Sequence, residues 1–243
     1  MGTGYKWRRI QLLKTDDALN PHIPETALFS KPQLWTMLRQ FENVIVKPSN
    51  GQGGYGIVQV SKEGEIYHIH KDSYKRKYLN RDTAYAKIRQ LTRGRAYIIQ
   101  QRIPLAQIAG RPFDVRVMVQ RMPGQNWVVT GKLAKVAGPG FIVTNMHRSR
   151  GKILSVGTAL SRSTVKHIPQ KTIEAELDRI SLLTAKVLGN RFPAKRVFGI
   201  DMGIDLNGKV WIIESNFAPS VSLFRHLQDK SMYHRILRFR KAS

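Results

Sequence analysis

Hydrophobic and polar positions change period several times along this chain, and each change marks an element. Val44-Ile45-Val46, then Lys47-Pro48-Ser49-Asn50 with the glycines Gly51, Gly53, Gly54 and Gly56, then Ile57-Val58-Gln59-Val60, predicts a strand, a glycine loop and a strand. Glu65 to His70 alternates with the two-residue period of a third strand. Apolar or small residues at Ala84, Ile88 and Leu91 predict a short helix over Arg81 to Leu91, and Tyr97 to Gln101 is a further strand. Asp114 to Gln120 and Trp127 to Val136 are β-rich runs around the turn Met122-Pro123-Gly124, the pattern of an antiparallel meander. The stretch from Ala137 to Ser155 is glycine-rich and basic and is expected to be a loop. Ile173, Leu177, Ile180, Leu183 and Leu188 recur at helical spacing within Thr172 to Leu188. Val197 to Leu206 and Lys209 to Glu214 form two strands around Asn207-Gly208, the strongest hairpin signal in the chain, and Phe224 to Phe239 has the pattern of a basic amphipathic helix. With no internal repeat, low-complexity tract or clear linker, the sum is an α+β chain dominated by antiparallel sheet.

Composition narrows this little, and charge narrows it more. A length of 243 residues accommodates one large domain or two small lobes, and 42% hydrophobic residues is enough to bury a core. No apolar run approaches the roughly 18–20 residues of a membrane span. Met1 to Gln11 is polar and basic where a signal peptide is apolar, so a soluble, cytoplasmic protein is expected. The absence of cysteine excludes disulfides and thiolate metal ligands and points to a reducing compartment. The formal charge is +25, and it is uneven: no Asp or Glu falls between Val115 and Ile173, a span that holds Arg116, Arg121, Lys132, Lys135, Arg148, Arg150 and Lys152. The C-terminal segment adds Arg225, Lys230, Arg235, Arg238, Arg240 and Lys241 against Asp229. Such a field raises the encounter rate with nucleic acid, an acidic peptide or another polyanion. A merely solvated cationic surface gives the same count.

Two constellations carry candidate chemistry. A loop containing Gly51, Gly53, Gly54 and Gly56 lets backbone N–H groups approach a phosphate, and Lys47 at the preceding strand end adds a point charge. The lysine precedes the glycines, unlike the Walker order, and the setting is not the strand-loop-helix of a dinucleotide fold. A purely structural turn fits the loop equally well. In the second, the Asn207-Gly208 hairpin places Asp201 beside Glu214 on facing strands, and Asn216 shares the face of Glu214. Two carboxylates and an amide oxygen form a hard donor set suited to magnesium, against the alternative of acids flanking an exposed hairpin. Asp114 and Arg116 lie on one strand face, so they either pair with each other or leave Arg116 to hold a phosphate. His68 and His70 also share a face, but no third ligand is near in sequence, and neither a Ser-His-Asp motif nor a Cys nucleophile is present.

In order, Lys47 with its glycine loop, the strand ending Gln100-Gln101, Asp114-Val115-Arg116, and Asp201 followed by Glu214-Ser215-Asn216 resemble the ATP-grasp superfamily. Ile23-Pro24-Glu25-Thr26, Gly110-Arg111-Pro112-Phe113-Asp114-Val115-Arg116 and Ile142-Val143-Thr144-Asn145 are similar, more closely, to YheC/YheD-type proteins, described as endospore-coat-associated. The likeness runs from about Lys6 to Pro219. It implies two α+β lobes clasping Mg-ATP: a helical segment over residues 1–40, a glycine-loop lid lobe over 41–103, and a metal-binding lobe over 104–243 ending in the basic helix. It also implies that a carboxylate attacks the γ-phosphate of ATP and that an amine captures the acylphosphate. By the same resemblance Lys6 and Lys47 contact ATP phosphates, and the loop that follows Ser49, with Gly51, Gly53 and Gly54, closes over them. Gln100, Gln101 and Ile103 face adenine and ribose, Arg116 and Lys135 stabilise the transferring phosphoryl group, and Asp201, Glu214 and Asn216 hold magnesium.

The sequence departs from the ATP-grasp pattern at three places. Gln101 replaces an acidic residue directed at the ribose, and Lys135 replaces an arginine, exchanging bidentate geometry for one flexible charge. The N-terminal domain that many relatives use to bind substrate is expected to be absent or on another polypeptide. The reading that results is an ATP-dependent carboxylate–amine ligase acting on a peptide or acidic polymer, with Arg148, Arg150, Lys152 and the C-terminal helix as docking surface. The alternatives are a non-catalytic Mg-ATP- and polyanion-binding protein of a spore layer, and a nucleic-acid binder acting through charge alone.

Overall fold

The computed structural model describes residues 4–51, 54–72, 74–92, 95–139 and 151–241. The chain divides into two units, one formed by Met1–Gln11 with Pro24–Ile103 and the other by Leu12–Ile23 with Pro104–Ser243, the division falling within helix α1 (Tyr5–Lys14). Each unit is built on an antiparallel sheet with helices packed against it, so the chain is α+β. Among the described residues no helix is long and apolar enough to cross a membrane.

In the first unit the strands are β1 (Thr26–Leu28), β2 (Asn43–Pro48), β3 (Val58–Glu63), β4 (Ile66–Lys71), β5 (Tyr74–Tyr78) and β6 (Tyr97–Gln101), in the spatial order β1-β6-β2-β3-β4-β5. Helices α2 (Lys31–Phe41) and α3 (Arg81–Leu91) join them. The Ser30 hydroxyl accepts from Gln33 N at the start of α2, and Asn80 Oδ1 accepts from both Asp82 N and Thr83 N at the start of α3. The helices lay Leu34, Trp35, Leu38, Ala84 and Ile88 onto Val44, Val46, Val58, Val60 and Ile69, all almost fully buried. The alternation that predicts β4 is thus one apolar face turned toward the helices. Strand β5, Tyr-Lys-Arg-Lys-Tyr, has no apolar alternation and carried no strand signal. It is an edge strand, where consecutive cations discourage pairing with another chain.

In the second unit β7 (Gln107–Ile108), β8 (Arg111–Gln120), β9 (Val128–Val136), β10 (Lys152–Leu154), β11 (Val197–Ile204) and β12 (Val210–Asn216) form a sheet in the order β10-β9-β8-β11-β12, with β7 paired to β8. Helix α4 (Val156–Ser161) precedes the long α5 (Gln170–Arg191), whose buried Ile173, Leu177, Ile180 and Leu188 bear out the helical spacing. Two expectations need correction. Part of the expected loop, Lys152–Leu154, is a strand paired with Ala134 to Val136, while residues 140–150, with Arg148, Arg150 and the Ile142 to Asn145 motif, lie outside the described residues. The C-terminal helix, α6, begins at Ser231 rather than Phe224, and Ser222–His226 forms a 3-10 turn. Asp229 explains the late start, because its carboxylate accepts from Ser231 N at 2.8 Å and from Ser231 Oγ at 2.6 Å, an Asx-type turn just before Lys230, whose carbonyl accepts the first helical bond from His234 N. Phe224, Leu227 and Ile236 nonetheless share one cluster with Met118 and Leu133 of the sheet.

Glycine at one helical position tests how tightly this unit is packed. Gly189 lies in α5, where alanine would ordinarily gain about 1 kcal/mol of helix propensity. A Cβ there would fall 2.7 Å from the Trp127 ring. Trp127 cannot easily retreat, because Phe198 stacks on it at 5.0 Å and the Arg121 guanidinium at 4.5 Å. Overpacking of this kind costs about 1–3 kcal/mol and outweighs the helix gain, so Gly189→Ala is expected to destabilise. Urea titration followed by circular dichroism measures it, and an increase in unfolding free energy would contradict the packing described.

Candidate functional site

Strand β11 carries Gly199, Asp201 and Gly203 on one face, so Asp201 is the sole side chain beyond Cα on that stretch of it. A Cβ at Gly199 would lie 2.5 Å from Pro219 and 3.4 Å from Arg116 Cδ, and one at Gly203 would lie 2.5 Å from Leu105. The glycines make room for the groups gathered around Asp201. Antiparallel register sets Asp201 opposite Arg116 of β8 on one side and Glu214 of β12 on the other, and Gly199 opposite Asn216. A bulge follows at once, since Met202 pairs with Ile212, and it interrupts the ladder beside the carboxylates.

The side chains complete a buried ionic network. Arg116 holds Asp201 with two parallel bonds, Nε to Oδ1 at 2.7 Å and Nη2 to Oδ2 at 2.8 Å. Lys135 of β9 reaches Asp201 Oδ1 at 2.9 Å and Asp114 Oδ1 at 3.0 Å. Asn216 Nδ2 donates to Asp201 Oδ2 at 3.4 Å. Arg116 therefore does not pair with its strand neighbour: it turns to Asp201, and Asp114 takes the lysine directly across from it on β9. Asp114, Lys135 and Asp201 are each less than a tenth exposed. Burial alone would raise the Asp201 carboxyl, but Arg116 and Lys135 overcome it and hold the group far below the ordinary carboxylate range. Burial alone would lower the Lys135 ammonium, and Asp114 and Asp201 hold it above its ordinary value. Arg116 is likewise raised, by Asp201 against the effect of burial.

The pH dependence follows from these directions. The Asp201 contribution is complete above the unfolded carboxylate value of about 3.9 and is lost as pH falls through the depressed folded value. The Lys135 contribution is complete below about 10.4 and is lost as pH rises through the raised folded value. The network should therefore contribute a constant stability from about pH 5 to 9 and weaken on both sides. The difference in urea midpoint between the wild type and Lys135→Met, measured across pH in the presence of a chelator so that the contribution of His70, whose pKa burial lowers, cancels, checks this; a difference that falls steadily within that plateau would contradict it.

The first unit gathers a second set. Lys47 Nζ donates to Gln100 Oε1 at 2.6 Å, Gln100 Nε2 donates to Thr26 Oγ1 at 2.9 Å, and Thr26 Oγ1 donates to Pro24 O at 2.7 Å. Lys47, Gln100 and Thr26 are all buried, so a buried cation at the end of β2 is held by a neutral relay. Thr26 stands in the Ile23 to Thr26 motif, but its contact with Gln100 was not legible, because β1 meets β6 only through tertiary pairing. Ser49 is buried, and its carbonyl accepts from Lys6 N at 3.0 Å, which fixes Lys6 beside the glycine loop. Gly51, Gly54 and Gly56 have positive φ, the backbone freedom expected of the loop, whereas Gly53 lies outside the described residues. Gln101 Oε1 lies 3.4 Å from Glu25 N, and Ile103 is buried.

Among the described residues no three His, Cys, Asp or Glu side chains gather around a possible metal position. His70 Nε2 lies 2.9 Å from Asp72 O, and His68 Nε2 lies 3.4 Å from Glu63. Asp201 and Glu214 oppose each other on β11 and β12, and Asn216 turns its Nδ2 to Asp201; the two carboxylates are donors of the hard kind magnesium takes, with its remaining shell left to phosphate and water.

A profile of the family described as "YheC/D like ATP-grasp" matches residues 2–240. Endospore coat-associated protein YheD of Bacillus subtilis (strain 168) is 30% identical over 230 residues, covering 91% of this chain and 49% of that protein. Its companion YheC, also described as endospore coat-associated, is 23% identical over 222 residues, covering 88% of this chain and 59% of that protein. The chain thus spans about half the length of the curated relatives it matches. Among solved structures, VanG D-Ala:D-Ser ligase from Enterococcus faecalis superposes with a TM-score of 0.58 at 16% identity, over 95% of this chain and 56% of that one. The ATP-grasp ligase PsnB, complexed with minimal precursor, Mg and ADP, gives 0.53 at 14% identity over 96% of this chain and 57% of that one. By sequence profile the chain belongs to the YheC/D-like ATP-grasp family, and its fold is the ATP-grasp fold.

Proposed function

We propose that this chain binds Mg-ATP and uses it to join a carboxylate to an amine, with a peptide as acceptor. The observation that carries the reading is the gathering of Arg116, Lys135, Asp201, Glu214 and Asn216 on neighbouring strands of one sheet, in a chain of the ATP-grasp family. In the reaction a carboxylate oxygen attacks the γ-phosphorus of ATP and ADP leaves. The amine then adds to the acyl carbon of the acylphosphate, inorganic phosphate departs and the amine loses a proton. Arg116, held by two parallel hydrogen bonds to Asp201, is a preorganised donor for charge developing on the phosphoryl oxygens, and Lys135 adds a second positive charge. Asp201, Glu214 and Asn216 would hold magnesium, which supplies charge neutralisation on the phosphates when bound.

Within the first unit, Lys47, oriented by Gln100 and Thr26, and Lys6, anchored at Ser49, are assigned to the ATP phosphates, with the loop at Gly51, Gly53 and Gly54 as their lid. Gln101 and Ile103 are assigned to ribose and adenine. Gln100 is assigned the same surroundings through its backbone, its side chain being committed to Lys47 and Thr26. The peptide acceptor is supported by the PsnB precursor complex and by the cationic composition, and work at a spore layer by the names of the two Bacillus relatives. One observation favours a second reading: Asp201 already accepts from Arg116, Lys135 and Asn216, as in a binding protein that has kept the fold without turnover. Purified protein given ATP, magnesium, and a panel of acidic peptides and amines distinguishes the two. ADP release with an acylphosphate trapped by hydroxylamine supports the ligase; Mg-ATP binding without either product supports the second reading.

A further inference from the structure

Strand β1 is three residues long and lies at one edge of the first unit's sheet, yet its Thr26 hydroxyl ends a relay of hydrogen bonds that begins at the Lys47 ammonium. We propose that Thr26 is a positioning residue for Lys47, acting through Gln100 by fixing which end of the Gln100 amide faces the ammonium. The proposal rests on the reading that Lys47 holds ATP phosphates.

Counting hydrogens gives the relay its direction. An ammonium only donates, so Lys47 requires an acceptor here, and Gln100 Oε1 supplies it at 2.6 Å. Turning that oxygen to Lys47 puts Nε2 on the other side, where a buried N–H group in turn requires an acceptor. The Thr26 hydroxyl has one hydrogen and two lone pairs. Its hydrogen goes to Pro24 O at 2.7 Å, which leaves a lone pair for Gln100 Nε2 at 2.9 Å. A reversed amide would set donor against donor at Lys47 and draw the hydroxyl away from Pro24 O. Lys47, Gln100 and Thr26 are all nearly fully buried, so solvent does not stand in for a lost partner. Strand register holds the three together: Thr26 pairs with Gln100, Gln100 pairs with Ile45 of β2, and Lys47 lies two residues further along the same strand face. The hydroxyl carries this role, and the Thr26 methyl group takes no part in it.

The test reads binding alone, on the full chain with magnesium and a fluorescent, non-hydrolysable ATP analogue. Thr26→Val keeps the shape and removes the hydroxyl, whereas Thr26→Ser keeps the hydroxyl and removes a methyl group. Analogue affinity should fall by about tenfold in Thr26→Val and stay within about twofold of wild type in Thr26→Ser. Lys47→Met should also weaken binding, and Thr26→Val added to it should change affinity by less than about twofold, because the hydroxyl acts through the ammonium. If Thr26→Val alone fails to fold, the same comparison is made on Gln100→Met, which carries no amide to strand; there too Thr26→Val should add less than about twofold. A Lys47→Met variant that binds like wild type would overturn the reading of Lys47 itself. With Lys47→Met impaired, undiminished binding in Thr26→Val, an equal loss in Thr26→Ser, or a full further loss on either background would overturn the positioning role alone.

Discussion

Asp201→Asn is expected to lower the unfolding free energy by about 3–5 kcal/mol, the cost of removing one partner from a buried ion network. The carboxylate is the shared anion of Arg116 and Lys135, and its loss strands them unequally. Lys135 keeps Asp114 at 3.0 Å and is able to release a proton if that is insufficient. Arg116 has less recourse, because a guanidinium stays charged, its two hydrogen bonds both end on Asp201, and Asp114 and Glu214 act on it only through space. Most of the penalty therefore sits on Arg116, and the midpoint of thermal unfolding should fall by roughly 6–20 °C. Replacing Arg116 and Asp201 together by apolar residues of similar volume should recover a large part of that loss, since it removes both charges from the interior. Urea unfolding of the single and double variants measures both effects. A single-variant loss below about 1 kcal/mol would mean that water screens the network, as it does at an exposed pair.

Glu214→Gln tests the chemistry instead of the scaffold. The exchange preserves shape, and Glu214 is only half-buried on β12, so stability should change by less than about 1 kcal/mol. ATP turnover should fall by about 10²–10³-fold, the scale on which a single electrostatic contact to a transition state acts. The residual activity should demand more magnesium, and calorimetric titration of magnesium in the presence of an ATP analogue should show weaker binding. Wild-type activity and an unchanged magnesium titration would remove Glu214 from the metal assignment.

What the sequence made legible was local. Periodicity in Glu65 to His70 and in Thr172 to Leu188 predicts β4 and α5, because each has one face buried and the period is written in a few adjacent residues. The opposition of Asp201 and Glu214 was legible, but not for the reason the Asn207-Gly208 signal suggests: Asp205 N bonds Lys209 O around a three-residue turn, Ile204 pairs with Val210, and the bulge between Asp201 and Met202 restores the opposition. The partner of Arg116 was not. It depends on β8 pairing with β11, strands about 85 residues apart in the chain at that point, and the local option of Asp114 was the only one the spacing offered. Thr26 behind Gln100 was hidden in the same way. Strand β5 was missed because its cations mask strand periodicity, and the late start of α6 because Asp229 captures the Ser231 N–H within an otherwise helical pattern.

The Arg116, Lys135, Asp114 and Asp201 side chains sum to zero formal charge, inside a chain whose total is +25. Mobile ions dampen forces between exposed charges beyond about 8–10 Å, yet they screen touching, largely buried groups much less. Ionic strength therefore acts on this protein chiefly at one range. Added salt weakens the long-range pull of the cationic exterior on an anion in solution, while the orientation of Arg116 persists. Attraction and alignment are separable in it by a change of buffer.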